Sequence, residues 1–362
     1  MPEHVKQQGG VSLHDRESCH VACLFVVAVV FTVRAQAADP PRPSLRQPVD
    51  YVRWVNEEFS RGITENAAEF YQRALSEFSE DDSLEKFIAE ADASTWTPEQ
   101  RRQRSAWVQK NATCLEHFAK AARMDACYFP LPRESGALVS VMLPELSTFR
   151  AIAKLMTVRA RLRLLEGNVD GATEDVALLL RAGRHLQDQP FLIQYLVGLS
   201  INGLAYRVLL DMPRLAPRAP DYEKVLSKPK DVFGSETSAD SLRLSPAVSF
   251  EAMTKQIDDY YDQWRSAWTG DFKNARSVSE RLEEEAKRNP QSIVGLVGPA
   301  LGRLVGIYYA ALASRNGAQV VLELHAYRAT NGKWPQTLEE GLSKSVARPR
   351  IDPFSGRPFI YG

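Results

Sequence analysis

The sequence has little of what catalytic and metal sites are usually built from. Its 362 residues include only 4 cysteines and 6 histidines, and no HExxH, Cys-x-x-Cys, GxSxG or glycine-rich phosphate motif occurs. Zinc, serine-hydrolase and nucleotide sites therefore lack their usual spacing. The histidines beyond residue 20 are His117, His185 and His325, which are far apart, and none is predicted to ligate a metal. The sequence predicts no catalytic residue and no cofactor.

An excess of charge of one sign is also lacking. Lys+Arg and Asp+Glu balance at 45 each, so no overall field attracts nucleic acid or an anionic membrane. A hydrophobic share of 44% and a charged share of 25% are too apolar for a disordered chain and too polar for a polytopic membrane protein. We expect a globular protein that recognises a protein partner, if it has one, through a local patch, and that binds no nucleic acid.

Long hydrophobic runs are rare, and the clearest lies near the N-terminus. Residues 21–33, "VACLFVVAVVFTV", are too short to span a bilayer comfortably. The following "AQA" has small residues at the two positions that a signal peptidase reads. We predict a signal peptide over 1–37 with cleavage between Ala37 and Ala38; a retained membrane anchor is the alternative. In both cases the body is exported.

Cleavage would leave two cysteines, Cys114 and Cys127. In an oxidising compartment they could form a disulfide that links a helix to the strand-like "CYFPLP" after it. The alternative is two buried, inert thiols. The sequence leaves both readings open.

Helical periodicity dominates the rest of the chain. A Pro-rich spacer over 38–48 precedes a helical domain over 49–211, in which Thr97 begins one long helix that continues to Arg123. Between Leu143 and Met212, helices separated by Gly167 and by Pro190 indicate antiparallel hairpins of a degenerate tetratricopeptide-like kind, without a fixed 34-residue period. The predicted fold class is mainly α, with a small C-terminal β-hairpin.

A Pro-rich linker over 212–247 leads to a helical C-terminal region over 248–362. The first helix of this region carries Tyr260 and a stripe of aromatic side chains. The stripe either packs into a core or lines a groove for a peptide or glycan. The candidate binding face consists of Tyr261, Trp264 and Trp268.

A later helix, from Pro299 to Thr330, has a small residue at every fourth position. This line predicts close approach by another helix. Pro299 and Arg303 argue against a membrane span over 292–313, so no span is predicted in the mature chain. The small residues are Gly302, Gly306, Ala310, Ser314 and Ala318.

The tail over 327–362 combines turn residues and aromatics in a regular order. Asn331-Gly332 should end the helix, Thr337 to Leu342 should form a short helix, and Asp352 should accept backbone N–H groups in a turn. Phe359 and Tyr361 should face one way. The motif residues are Tyr327, Asn331, Gly332, Pro335, Leu338, Asp352, Pro353, Gly356, Pro358 and Tyr361.

These residues resemble the end of type II secretion major pseudopilins, where a Tyr-x-x-x-Asn-Gly-x-x-Pro turn precedes an Asp-Pro-x-x-Gly-x-Pro strand pair. The body, with "DYVRWVNEEF", "CYFPLP" and "RLRLLEGNVDGA", resembles an uncharacterised family of exported, mostly helical bacterial proteins that end in this tail. The resemblance implies a fold and a location in the periplasm or cell envelope of a bacterium, without an activity. Because the N-terminus differs from that of pseudopilins, filament formation is not expected. Calcium binding is not expected either, because no matching cluster of acidic ligands follows Asp352.

We therefore expect an exported, non-catalytic envelope protein that binds or scaffolds another protein. One alternative is an envelope hydrolase with carboxylate catalysis, for which acidic pairs such as Asp258 and Asp259, or Glu283 to Glu285, would be the candidates. The other alternative is an accessory of a pseudopilus-like secretion system.

Overall fold

A computed structural model describes residues 50–80, 92–132, 143, 145–217, 225, 263, 271–288, 293–342 and 351–361. This part of the chain is mainly helical, with a small two-stranded antiparallel sheet. The predicted signal peptide, its cleavage point between Ala37 and Ala38, and the spacer lie outside the described residues. The helices are α1 (Tyr51–Ser60), α2 (Ala68–Glu77), α3 (Pro98–Lys110), α4 (Ala112–Ala122), α5 (Glu145–Leu165), α6 (Val169–Gln187), α7 (Leu192–Leu215), α8 (Phe272–Arg288), α9 (Ile293–Asn331) and α10 (Leu338–Gly341), with a 3-10 turn at Ala93–Thr95.

The long helix predicted to begin at Thr97 is two helices. Its start is as expected: the Thr97 hydroxyl accepts the Gln100 N–H at 3.2 Å, and the Gln100 side chain accepts the Thr97 N–H at 2.8 Å. The single-helix prediction is wrong at Asn111, which separates α3 from α4. The Asn111 amide binds the backbone N–H and carbonyl of Ser79 at 2.8 and 3.1 Å. A contact with a distant segment therefore divides the helical run.

The main core forms around α5, which packs against α3, α6 and α7. Almost every turn of α5 carries buried side chains, among them Ile152, Leu155 and Met156. Gly167, with φ of +80°, ends the helix as predicted, and the Asn168 side chain caps α6 by accepting the Gly171 N–H at 2.9 Å. Short connections thus bring α5, α6 and α7 against one another.

Helices α6 and α7 approach each other closely where they cross. A Cβ atom added at Gly198 would lie 2.3 Å from the Gly183 carbonyl oxygen, and one added at Gly183 would lie 2.9 Å from the Gly198 carbonyl oxygen. Any larger side chain at Gly198 would have to push a backbone away. The glycines therefore set the separation of α6 and α7.

The small-residue line predicted on α9 does not pack in this way. Gly306, Ala310 and Ser314 are exposed, and a Cβ atom at Gly306 would meet nothing within 4 Å. Only Ala318 of the later members is buried. The prediction that another helix of this chain covers the line is wrong for the described residues, because α9 turns its bulkier side chains toward α7 and α8.

Helix α9 connects the two predicted helical regions. Its Tyr308 shares a second apolar cluster with Tyr195 and Leu199 of α7, and this cluster also includes side chains of α8. Further along, Ala318 and Leu322 belong to the main core. Helix α7, which was expected to end before a linker that begins at residue 212, continues through Pro213 to Leu215.

An extended segment over 126–131 is buried beside α1 and α6, and side-chain amides bind its backbone. They supply the hydrogen bonds that a neighbouring strand would otherwise make. Asn66 binds both backbone groups of Tyr128 at 2.8 and 3.0 Å, Asn56 binds both of Leu131 at 2.7 and 3.0 Å, and Gln189 binds the Phe129 N–H at 3.0 Å and the Cys127 carbonyl at 2.8 Å.

One helix in the described part of the chain is long and apolar enough to cross a membrane, Ile193–Leu215. More than half of its apolar window is buried within the protein. Such burial is typical of a core helix.

Replacing Gly198 with Ala should lower the free energy of unfolding by about 1–3 kcal/mol, since the methyl group would overlap the α6 backbone. Gly203 is the matched control on the same helix, because a Cβ atom there meets nothing within 4 Å. Gly203→Ala should raise the free energy of unfolding by about 0.5–1 kcal/mol. Urea unfolding followed by circular dichroism measures both, and equal effects would contradict the close approach.

Candidate functional site

The predicted binding face on the first helix of the C-terminal region, Tyr261, Trp264 and Trp268, lies outside the described residues, as do Asp258 and Asp259. Nothing in the structure tests them. Glu283 to Glu285, in contrast, lie on α8 with Glu284 and Glu285 exposed, and Glu284 forms an ion pair of 2.8 Å with Lys287. Exposed carboxylates on one helix face do not form a catalytic pair.

Cys114 and Cys127 are free thiols in the structure. Cys114 lies on α4 and Cys127 in the extended segment, and both are buried. Burial raises the pKa of Cys114 to about 12, and it raises the pKa of Cys127 as well. Of the two alternatives that the sequence left open, the structure therefore has the second: two buried, unreactive thiols with no disulfide between them.

His185 is buried and uses both ring nitrogens in the core. Nε2 lies 3.1 Å from the Met124 carbonyl oxygen, which can only accept, so Nε2 carries the hydrogen. Nδ1 then accepts a hydrogen bond from the Tyr71 hydroxyl at 3.0 Å. Burial lowers the pKa of His185 to about 4, so the ring is neutral at pH 7. A histidine held in this way is structural.

The other two histidines in the described part of the chain also contact neighbouring side chains. His117 pairs with Glu77 at 3.0 Å, and the ring of His325 meets the edge of Trp334 at a centroid distance of 4.9 Å. Among the residues that the structure describes, no group of three or more His, Cys, Asp or Glu side chains could hold a metal ion.

Asp175 of α6 is the fully buried carboxylate of the core, with 0% of its surface exposed. Arg159 binds it at 2.5 and 3.2 Å, and Arg163 binds it at 2.8 Å. Burial raises the pKa of Asp175, and the positive charges of the two arginines oppose this rise. Since both oxygens are occupied by guanidinium groups, Asp175 joins α6 to α5 and has no free edge for a substrate.

The tail is held to α9 by a carboxylate that the sequence reading did not single out, Glu340. It accepts hydrogen bonds from the Tyr327 hydroxyl and from the Gln336 N–H, the latter at 2.7 Å. Its own N–H donates to the Thr337 hydroxyl at 3.2 Å, so Thr337 caps α10, the short helix that was predicted from Thr337 to Leu342. The Thr-x-x-Glu spacing of a capping box is the sequence signal that could have identified Glu340.

Apolar packing and a second tyrosine complete the attachment of the tail. The Tyr361 hydroxyl donates to the Pro335 carbonyl at 2.8 Å. Gly341 leaves no room for a Cβ atom, which would lie 2.6 Å from a Leu324 methyl carbon and 2.7 Å from a Pro335 ring carbon. The cluster beneath consists of Val320, Leu324, Leu338 and Leu342, with Phe359 and Tyr361 against it.

The predicted turn at Asp352 is confirmed. Its carboxylate accepts the N–H groups of Phe354 and Ser355 at 3.1 and 3.2 Å. Gly332 and Gly356 have φ of +71° and +65°, as the motif predicts. Strand β1 (Ile351–Asp352) pairs with β2 (Arg357–Pro358), with Ile351 opposite Pro358. The turn residues Pro353, Gly356 and Pro358 therefore shape the hairpin, and Asn331 forms the last residue of α9.

One side of α9 is an open apolar surface, which we call the small-residue face: Gly306, Ile307, Ala310 and Ser314. All four residues are exposed, Ile307 to 45%, and none carries a charge. Phe354 of the hairpin turn is also exposed, and its ring lies 6.3 Å from that of Tyr309 on the adjacent side of α9. Together they form a neutral surface that can receive another apolar element.

Acidification should destabilise the fold through His185. Because its folded pKa of about 4 lies below its ordinary value of 6.5, its contribution is present above pH 6.5 and is lost as the pH falls toward 4. This loss is on the order of 3 kcal/mol. Urea unfolding of His185→Gln should lack this slope between pH 6.5 and 4, whereas His117→Gln should retain it. The same slope in both variants would show that His185 is not responsible.

Glu340 should make docking of the tail sensitive to acid. The Tyr327 hydroxyl, followed by the backbone N–H of Gln336, lowers the pKa of Glu340. The stabilisation is therefore complete above the unfolded pKa, about 4.3, and is lost as the pH falls through the lowered folded value. Amide-exchange protection at Gln336 should fall in this range for the wild type, and it should be low at every pH in Glu340→Gln. Glu339→Gln is the control, and an identical loss there would exclude the carboxylate contact.

Comparison with known proteins identified no relative of this chain. No family model matches this chain, and neither does any curated protein or solved structure. The likeness of the tail to pseudopilins and of the body to an exported helical family stays a prediction from the motifs. Function must therefore be inferred from the geometry of the described residues.

Proposed function

We propose that this protein is an exported, non-catalytic envelope protein that binds or scaffolds another protein. The observation that carries the proposal is the small-residue face of α9, which is exposed, uncharged and free of large side chains except Ile307. Small residues in a line allow the backbone of a second helix to approach closely. A partner that presents an apolar helix would cover Ile307 and the surfaces of Gly306 and Ala310.

The buried ionisable groups support a non-catalytic role. His185, Asp175 and the two thiols are reactive groups that are buried in the described part of the chain. The first two are fully engaged in internal hydrogen bonds, and the thiols have raised pKa values. A general base or a nucleophile needs a lone pair that can reach a substrate. These groups instead connect helices.

Finer parts of the proposal rest on the sequence. The apolar run at 21–33 with "AQA" supports export, and the short connections around α5, α6 and α7 support a tetratricopeptide-like arrangement of hairpins. The tail motif supports an envelope location, and it makes pseudopilins of a secretion machine the first partners to look for. In that case the protein would be an accessory of such a machine.

A charged substitution on the small-residue face should abolish partner binding. We expect Ala310→Arg to prevent stoichiometric co-purification from crosslinked envelope fractions, since a guanidinium would be buried without a counter-charge. Ala329→Arg adds the same charge at an exposed site near the end of the same helix, and it should leave the partner bound. Mass spectrometry of the recovered complexes identifies the partner.

The proposal would be wrong if the wild-type protein recovers no stoichiometric partner from several crosslinked preparations. It would also be wrong about the surface if Ala310→Arg and Ala329→Arg bind the partner equally well. Circular dichroism of both variants verifies that the fold is intact.

A further inference from the structure

The dipeptide Asn-Gly occurs three times in the chain. Asparagine loses its side-chain amide most readily before a glycine, because the glycine has no side chain to hinder attack by its backbone nitrogen. In the sequence the three copies are equivalent, and only the fold distinguishes them. The copies are Asn202-Gly203 in α7, Asn316-Gly317 in α9 and Asn331-Gly332 at the end of α9.

Deamidation at such a pair needs water and no enzyme. The glycine N–H gives up its proton, and the nitrogen attacks the side-chain Cγ of the asparagine. A bond forms between this nitrogen and Cγ, the bond between Cγ and Nδ2 breaks, and Nδ2 takes up a proton and leaves as ammonia. Water then opens the cyclic succinimide to aspartate or to isoaspartate. In both products a carboxylate replaces a neutral amide.

The two interior copies are protected by the helices that contain them. Each N–H in an α-helix donates to the carbonyl four residues earlier, so the attacking nitrogens of Gly203 and Gly317 are held. Ring closure also requires the asparagine ψ to rotate away from its helical value of about −42°. In addition, the Asn202 Oδ1 atom is buried, and the Asn316 amide donates to the Ile351 carbonyl at 3.1 Å.

The third copy lies on a helix end that nothing covers. Residues 328–334 are all exposed, and Gly332 leaves the helix with φ of +71°. Two hydrogen bonds hold the reacting atoms: the Asn331 Nδ2 atom donates to the Tyr327 carbonyl at 2.9 Å, and the Gly332 N–H donates to the Arg328 carbonyl at 2.8 Å. Helix ends fray at little cost, so these two bonds open far more often than those of a helix interior.

The Asn331 amide lies where the tail turns back along α9. A carboxylate in its place cannot donate, so the Tyr327 carbonyl would lose its partner and face a negative charge. Negative charge is also unfavourable at a helix C-terminus. Isoaspartate lengthens the backbone as well and displaces the Gly332 N–H. Since the Tyr327 hydroxyl binds Glu340 of α10, a loosened turn weakens the attachment of the tail.

We propose that Asn331 is a deamidation site of the folded protein and that its conversion to a carboxylate loosens the tail from α9. The fold selects this asparagine from three equivalent pairs, because it alone among them is the last residue of a helix and is exposed. The change is one-way, since the ammonia is lost. This site lies apart from the small-residue face and does not depend on the proposed partner binding.

Mass spectrometry of the aged protein tests the site. Folded wild-type protein is kept at neutral and at mildly alkaline pH, and the peptides that contain the three pairs are followed with time. We expect Asn331 to react faster than Asn202 and Asn316 by about ten-fold or more, because a frayed end opens at much lower cost. The rate should rise with pH, since the attacking nitrogen must lose its proton.

The same measurement in urea is the control, because the unfolded chain should lose its amide at similar rates from all three pairs. Equal rates at the three pairs in the folded protein would overturn the proposal. It would also be overturned if Asn331 stays intact in the folded protein while the unfolded chain reacts.

Two variants test the effect on the tail. Asn331→Asp reproduces the aspartate product and should lower amide-exchange protection at Gln336, which donates to Glu340, by several-fold. Ala329→Asp adds the same charge on the same exposed turn without removing a hydrogen bond, and it should retain most of the protection. Unchanged protection in Asn331→Asp, or an equal loss in both variants, would show that the Asn331 amide does not hold the tail.

Discussion

The close approach of α6 and α7 at Gly183 and Gly198 is the constraint on which the rest of the structure depends. Within α6, the Gln187 amide donates to the Gly183 carbonyl at 3.1 Å, beside this contact. Helix α5 then covers one side of the pair and α9 packs on α7 from another.

The core satisfies its polar groups with unusual completeness in some places and leaves them open in others. Asp175 binds two arginines, and the amides of Asn56, Asn66 and Gln189 bind the backbone of a buried extended segment. Groups held in this way make the fold specific and are not available for chemistry. The uncovered face of α9 is a surface that remains available for interactions.

Local features of the tail were predictable, and contacts between distant residues were not. The positive φ of Gly332 and Gly356, the cap at Thr337 and the turn at Asp352 follow from residues within a few positions. The division at Asn111 depends on Ser79, 32 residues away in the sequence. The role of Glu340 required the Tyr327 hydroxyl from a separate helix. Spacing alone gives no measure of such approaches.

By itself the sequence determined that the protein is helical, where several helices end, and that the chain closes with a short hairpin, because these depend on local backbone preferences and on side-chain periodicity. Only the tertiary structure decided which glycines meet. The regular line of small residues through Gly306 and Ala310 predicted a contact with another helix, but it is exposed. Gly183 and Gly198 do form a close helix contact, although they belong to no regularly spaced line. Periodicity identifies one side of a helix, but the bulk of all its neighbours decides which side is buried.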